Sequence, residues 1–230
     1  MEDLNAGRLK PTVLTKSTGP RKGHVDFAFP ARRVLVLGGT HHVGLDVVRA
    51  FLKIGCKVAV IDSDKEKGDA LAYKEGIRYY NVDSGSGEAM TSALINIIEA
   101  WRDIDILIVT EFHEALDNLI NIWTSHRKRF PVPYGYSGRV ILIYAGLDKS
   151  DCIIKSCEIN NAMKYGINLS EVEEKVSQLS HGLHNYRISV NAIVNSEQSI
   201  SESRDPARIC LSISLPGNDF ISELIIPAKM

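Results

Sequence analysis

The sequence predicts an α/β fold in which helices cover both faces of a doubly wound, Rossmann-like parallel sheet of about seven strands. Two observations support this. From Arg33 onward, short apolar segments alternate with longer segments whose apolar residues recur at helical spacing. The segment 103–110, DIDILIVT, is apolar on both faces, which is typical of a strand buried inside a parallel sheet.

Each element follows from its own pattern. Apolar runs bounded by turn residues predict the strands, and one-sided apolar spacing predicts the helices. The predicted strands are 33–38, 56–62, 77–83, 103–110, 138–146, 188–195 and 222–228. The predicted helices are 43–55, 64–76, 87–101, 113–129 and 168–186. The last helix carries a stripe that is typical of core but also suits helix–helix packing in a dimer: Leu169, Val172, Val176, Leu179 and Leu183.

Composition limits the function classes. The chain has 230 residues, is 44% hydrophobic and 24% charged, and has a net charge of -1. We expect one cytoplasmic domain, because no apolar run is long enough to span a bilayer and nothing in the net charge favours nucleic acid or a membrane surface. The four cysteines are irregularly spaced, which predicts neither a disulfide framework nor a zinc site, and no metal is expected.

The first segment, 1–32, has neither helical nor strand periodicity. It is locally basic but has no aromatic residues among its charges, so a solvated tail or a strap across the domain is favoured over a nucleic-acid arm. We therefore divide the chain into an extended arm, 1–32, and a single domain, 33–230.

A glycine-rich turn follows the first strand, in the stretch VLVLGGTHHVGLD. In this fold class such a turn faces the ligand crevice at the positive end of a helix dipole. Gly38, Gly39 and Gly44 predict a dinucleotide loop. Asp62 closes the second strand, about 20 residues after the loop, where an acid accepts hydrogen bonds from an adenosine ribose and favours NAD. The alternative is that Asp62 only starts a loop or caps the next helix.

From Arg33 to its last residues the chain resembles the short-chain dehydrogenase/reductase family. Its RVLVLGGTHHVGLD overlays the family's TGxxxGxG without a gap, and DIDILIVTEF, GRVILIYA, ISVNAIVNS and FISELIIPAKM follow in the family's order. The resemblance implies a Rossmann fold and an NAD(P)-dependent oxidoreductase ancestry, and disfavours a methyltransferase. It adds Asp83 as a residue beside the adenine and Val43 as part of the loop.

The resemblance also implies a catalytic set that this chain has largely lost. The family's tyrosine falls on Tyr165, but Leu169 stands where a lysine should lower that tyrosine's pKa and hold the ribose. Ala145 replaces the serine, while Asn118 matches the asparagine of the proton relay. In a gapped alignment, Ser150 or Ser156 would supply the serine instead.

Losses cluster on the nicotinamide side of the expected site. The family's Asn-Asn-Ala-Gly has become the segment 110–113, and a short Ser/Glu-rich linker replaces the substrate lid. His42 stands at the middle glycine, where it either displaces the phosphates or, when protonated, donates a hydrogen bond to one. The residues that the family uses on the adenosine side are retained as Gly44, Asp62 and Asp83. Because the nicotinamide side is altered, we expect weak or absent NAD binding.

These observations favour a catalytically degenerate relative that senses a nucleotide or acts as a scaffolding subunit. The alternative is an active NAD-dependent oxidoreductase with a site rebuilt around Tyr165. As the family resemblance implies, we expect a homodimer, or a heteromer with an active relative, formed through helices around 114–129 and 168–185. The sequence names no substrate.

Overall fold

The computed structural model describes residues 32–83, 86–111, 113–131, 138–145, 147–148, 153–155, 166–195, 205–214 and 223–225. Its main element is a seven-stranded sheet in the order β10-β9-β5-β4-β1-β2-β3, in which every neighbouring pair is parallel. The order reverses between β1 and β4, which is the position where a doubly wound sheet opens its ligand crevice. The predicted fold class is confirmed.

The elements have the following bounds. The strands are β1 (Arg33–Leu37), β2 (Lys57–Asp62), β3 (Arg78–Asn81), β4 (Ile106–Val109), β5 (Gly138–Ala145), β6 (Leu147–Asp148), β7 (Ile153–Lys155), β8 (Gly166–Asn168), β9 (Ile188–Asn195) and β10 (Glu223–Ile225). The helices are α1 (His42–Lys53), α2 (Lys65–Glu75), α3 (Gly87–Trp101), α4 (Leu116–Arg129), α5 (Leu169–Leu183) and α6 (Asp205–Ile213). Short 3-10 turns occupy His113–Ala115 and His184–Tyr186.

Helices cover both faces of the sheet. One core cluster joins the sheet to α3, α4 and α5, and a second joins the opposite face to α1, α2 and α6. Val172, Val176, Leu179 and Leu183 belong to the first cluster, so this part of the α5 stripe is core and not a dimer surface. Among the described residues, no helix is both long and apolar enough to cross a membrane.

Two features differ from the sequence-based expectation. The helix α6 packs against α1, although no helix was predicted there. The antiparallel sheet β6-β7-β8 was also missed. Its strands have two or three residues each, which is too short for an alternating pattern to be visible.

The amino ends of the strands are closed by buried ion pairs. The Arg33 guanidinium lies 2.7 Å from the Asp105 carboxylate, and that of Arg127 lies 3.1 Å from Asp103. Asp105 is 1% exposed, so this charge is satisfied inside the protein. These pairs stabilise the edge of the sheet opposite the crevice and leave ligand chemistry to the carboxyl edge.

Candidate functional site

The glycine loop turns sharply from β1 into α1. Gly38 has a φ of +81°, and its N–H donates to the carbonyl oxygen of Ile61 at 2.9 Å. A Cβ at Gly44 would lie 1.8 Å from the Gly38 carbonyl oxygen, so only glycine allows α1 to approach β1 this closely. A Cβ at Gly39 would lie 2.7 Å from the Val60 side chain. The three glycines therefore have the packing that a dinucleotide loop requires.

His42 occupies the left-handed region of the backbone, with a φ of +39°. It is the first residue of α1 and its side chain is exposed. Glycine adopts this conformation freely, whereas a side chain makes it costly. The backbone thus keeps a shape suited to glycine at a position that carries an imidazole. The next residue, Val43, is buried in the core, so only its main chain is available to a ligand.

The Asp62 carboxylate bonds to the glycine loop. Its Oδ2 accepts a hydrogen bond from the Thr40 N–H at 2.9 Å and another from the Thr40 hydroxyl at 2.8 Å. Its Oδ1 accepts from the Asp64 N–H at 3.1 Å, and Asp62 is 1% exposed. The residue predicted to meet a ribose therefore joins the β1–α1 loop to the β2–α2 loop through these hydrogen bonds.

A chain of side-chain contacts extends from this pair onto α2. The Thr40 hydroxyl donates to Asp62, so it accepts from the imidazole Nδ1 of His41, 2.6 Å away. The other ring nitrogen of His41 then accepts from the Lys67 ammonium. Lys67 also lies 3.1 Å from the Asp64 carboxylate. The network fastens the glycine loop to the first turn of α2 and spans the adenosine side of the crevice.

Tyr79 and Asn81 support the same region from β3. The Tyr79 hydroxyl lies 3.0 and 2.9 Å from the carbonyl oxygens of Asp62 and Asp64, and the Asn81 amide donates to the Ser63 carbonyl at 2.9 Å. A Cβ at Gly68 would lie 2.0 Å from the Tyr79 ring, so this glycine admits the aromatic ring beneath α2. No sequence pattern had indicated a role for these residues.

Glu111 lies directly against the glycine loop. A Cβ at Gly38 would be 2.7 Å from both Cβ and Cγ of Glu111, and the Glu111 N–H donates to the Leu37 carbonyl at 3.3 Å. Burial, together with the negative charges of Asp62 and Glu114, raises the pKa of Glu111 to about 7. An acidic side chain thus lies where the family resemblance implies an asparagine beside the cofactor.

Two further predicted residues that the structure describes, Asp83 and Asn118, contact residues of their own neighbourhood. Asp83 is exposed, and its carbonyl oxygen accepts from the Ser86 N–H at 2.9 Å. The amide of Asn118 donates to the Thr91 hydroxyl on α3 at 2.8 Å. Because Asn118 is exposed and paired with a neighbouring helix, this contact gives its side chain a helix-joining role.

The structure describes only part of the segment around the expected tyrosine. Tyr165, Ser150, Ser156 and the lid linker 196–204 lie outside the described residues. Gly166–Asn168 forms strand β8, and α5 begins at Leu169. Residues 166–168 are therefore extended, and the roles that the resemblance implies for positions 165 and 169 stay predictions. Ala145 ends β5, where it pairs with Asn195 of β9.

The described residues hold no cluster of three or more His, Cys, Asp or Glu side chains arranged to bind a metal ion. At the carboxyl edge of the sheet they hold the glycine turn and two acids, Asp62 and Glu111. Two basic residues, His41 and Lys67, lie on the rim. That arrangement has the backbone geometry of a dinucleotide loop, in which Asp62 is already hydrogen-bonded and Glu111 is partly buried.

Comparison with known proteins agrees with this geometry. Residues 32–110 match the family model described as short chain dehydrogenase. The fold is similar to a Pseudomonas aeruginosa RhlG/NADP active-site complex, with a TM-score of 0.69 at 16% identity over 87% of this chain and 96% of that one. It is also similar to a metagenomic short-chain oxidoreductase in complex with NADP, with a TM-score of 0.66 at 14% identity over 88% and 100% of the two chains. A hydroxysteroid dehydrogenase from Escherichia coli gives 0.65 at 13% identity, over 85% and 94%.

Proposed function

We propose that this chain, whose residues 32–110 match the short chain dehydrogenase family model, is a catalytically degenerate member of that family. It acts as a nucleotide-sensing or scaffolding subunit and binds NAD weakly or not at all at neutral pH. The observation that carries the proposal is the double hydrogen bond from Thr40 to the buried Asp62 carboxylate.

Occupation of Asp62 supports weak dinucleotide binding. A carboxylate that already accepts three hydrogen bonds offers little to a ribose hydroxyl. To bind a ribose as the family resemblance implies, Asp62 has to exchange internal partners for the ligand. Each bond to a charged group contributes about 1.5–3 kcal/mol, so this exchange reduces the net gain from binding.

Glu111 supports the same conclusion through charge. Its side chain lies against Gly38, beside the loop that would hold the pyrophosphate. Two like charges about 4 Å apart near a protein surface repel by about 4 kcal/mol. A pyrophosphate therefore has to bind beside Glu111 and within the field of Asp62, unless Glu111 is protonated.

The altered catalytic positions support the loss of turnover. A tyrosine transfers a proton at neutral pH only when its pKa is lowered, and Leu169 carries no charge that could do so. Asn118 bonds to Thr91, which occupies the amide that the resemblance assigns to a relay.

The scaffolding role requires a partner surface, which we place on α4 and α5. These helices lie on the same face of the sheet and are joined by the Lys175–Asp117 ion pair at 2.7 Å. Their amino ends carry exposed acids and the carboxyl end of α4 carries exposed bases: Asp117, Glu171, Glu173, Glu174, Lys128 and Arg129. A second copy related by a two-fold axis brings acidic ends against basic ends, so the partner proposed is another copy of this chain.

Turnover and binding, measured on the same preparation, test the proposal. NADH and NADPH are titrated by fluorescence, and their oxidation is followed with a panel of aldehydes and ketones. We expect no turnover above the uncatalysed rate and weak binding near neutral pH. An active family member, run in parallel, validates the panel. Sustained turnover of any carbonyl compound supports the rebuilt oxidoreductase and contradicts the proposal.

A further inference from the structure

We propose that nucleotide binding in this crevice is coupled to the uptake of one proton by Glu111, so that affinity for a pyrophosphate-bearing nucleotide rises as the pH falls. This inference rests on the nucleotide-sensing role proposed above and specifies how that role is regulated. The ligand class is defined by its chemistry, which is a pyrophosphate held at a glycine loop.

The position of Glu111 makes its charge decisive. The residue follows β4 directly, and its Cβ and Cγ fill the space in which a Gly38 side chain would stand. Its main chain is fixed to β1 through the Leu37 carbonyl. Glu111 therefore cannot move far from the loop while β1 and β4 remain paired, and its carboxyl carbon is bonded to the Cγ that lies against Gly38.

The acidic neighbours of Glu111 oppose its ionisation. Asp62 at the end of β2 and Glu114 in the 3-10 turn both place negative charge near it. Tyr144, near the carboxyl end of β5, is buried, and burial raises the pKa of its hydroxyl to about 12, so it stays neutral. Ionisation of Glu111 therefore adds a third negative charge to this part of the crevice.

Two of the three basic neighbours, Lys67 and His41, are engaged with partners other than Glu111. Lys67 contacts the His41 ring and the Asp64 carboxylate. The other ring nitrogen of His41 contacts the Thr40 hydroxyl. His42 is exposed at the start of α1. These contacts hold the positive charge of Lys67 at the α2 rim of the crevice. Protonation of Glu111 is therefore the direct way to remove the negative charge beside the glycine loop.

Linkage gives the expected size of the effect. Burial and the two acids raise the pKa of Glu111 to about 7, so the free protein is mostly protonated at this carboxyl at pH 6 and mostly ionised at pH 8. If the nucleotide binds only the protonated form, affinity falls by about tenfold between these pH values. The pyrophosphate of NAD⁺ stays ionised throughout this range, so the probe itself does not titrate.

Calorimetric titration of the full chain with NAD⁺ at pH 6 and pH 8 tests the inference. We expect about tenfold tighter binding at pH 6, and, at pH 8, uptake of about one proton per site when two buffers of different ionisation enthalpy are compared. Glu111→Gln should bind at pH 8 as tightly as the wild type does at pH 6 and lose the proton uptake. Glu99→Gln, which removes an exposed carboxylate on α3, should behave like the wild type.

Three results overturn the inference: no binding at either pH in any variant, a wild-type affinity that is the same at both pH values, or a Glu111→Gln variant that keeps the pH dependence. Circular dichroism of each variant at both pH values checks that the fold is retained. These three results concern binding alone. The degenerate-enzyme proposal is contradicted by turnover, so failure of the proton-coupled binding and failure of the proposed function are distinguishable.

Discussion

The buried Asp62 carboxylate accepts hydrogen bonds from both the N–H and the hydroxyl of Thr40, at 2.9 and 2.8 Å. A single loop residue thus provides two donors to the acid that the family resemblance assigns to a ribose. The contact joins the β1–α1 loop to the end of β2, and it favours a crevice whose adenosine side is held closed by the protein's own side chains.

Removing the Thr40 hydroxyl should destabilise the fold. Thr40→Val keeps the side-chain shape but leaves Asp62 with one fewer donor, and we expect the free energy of unfolding to fall by about 1.5–3 kcal/mol. Thr40→Ser keeps the hydroxyl and loses one buried methyl group, so it should lose only about 0.8 kcal/mol. Urea denaturation at neutral pH measures both. Equal stability of the two variants would show that the hydroxyl bond contributes nothing.

Glu111 should make stability depend on pH. Its pKa is raised from the ordinary 4.5 to about 7, so the folded state holds this proton more tightly than the unfolded state does. Stability from this group is complete below about pH 4.5 and is lost as the pH rises through about 7. The full pKa shift corresponds to about 3 kcal/mol in the free energy of unfolding. Because Glu111 is partly exposed and solvent screens its charge, we expect about 1–2 kcal/mol.

Glu111→Gln should therefore raise the free energy of unfolding by about 1–2 kcal/mol at pH 8 and change it little at pH 4.5. The quantity to measure is the difference between variant and wild type at each pH, because other groups titrate equally in both proteins. Glu99→Gln serves as the control for removing one negative charge. A Glu111→Gln effect of the same size at both pH values would rule out this titration.

His42 should obstruct the loop in two separable ways. His42→Gly relieves the backbone strain at a φ of +39° and removes the imidazole, whereas His42→Ala removes the imidazole but keeps the strain. We expect only the glycine variant to gain stability, by up to about 1 kcal/mol. Both should bind NADH more tightly than the wild type. Weaker binding by both variants would instead identify His42 as a phosphate ligand.

The proposed self-association depends on opposite charges at the two ends of α4 and α5. Lys128→Glu with Arg129→Glu should shift the protein towards monomer in sedimentation velocity, and added salt should do the same to the wild type. Lys53→Glu, on the exposed end of α1, should have no effect. Adding Glu173→Lys and Glu174→Lys to the first variant should restore association. A wild type that is monomeric at all concentrations contradicts a second copy as partner.

The sequence predicted the sheet well because hydrophobic periodicity reports burial directly. The apolar runs at 33–38 and 103–110 became β1 and β4, at the centre of the sheet. The glycine loop was also predictable, because Gly38 and Gly44 have a steric role that no other residue type can fill. These features depend on local pattern and on backbone sterics.

Other features depend on contacts between distant segments. The position of Asp62 after β2 led to the prediction of a ribose contact. That position does not reveal that Thr40, 22 residues earlier, donates two hydrogen bonds to the same carboxylate. The proton affinity of Glu111 follows from burial and from acids on other elements. Strand β8, which precedes Leu169, has three residues, too few for an alternating pattern to show in the sequence.

The most direct test of the central claim is an NADH titration at about pH 8, followed by fluorescence, of the wild type and of the double variant His42→Gly with Glu111→Gln. The account predicts that the wild type binds weakly and that the double variant binds at least about tenfold more tightly, because strain, bulk and charge are removed together. Micromolar or tighter NADH binding by the wild type, with turnover of a carbonyl substrate, would contradict it.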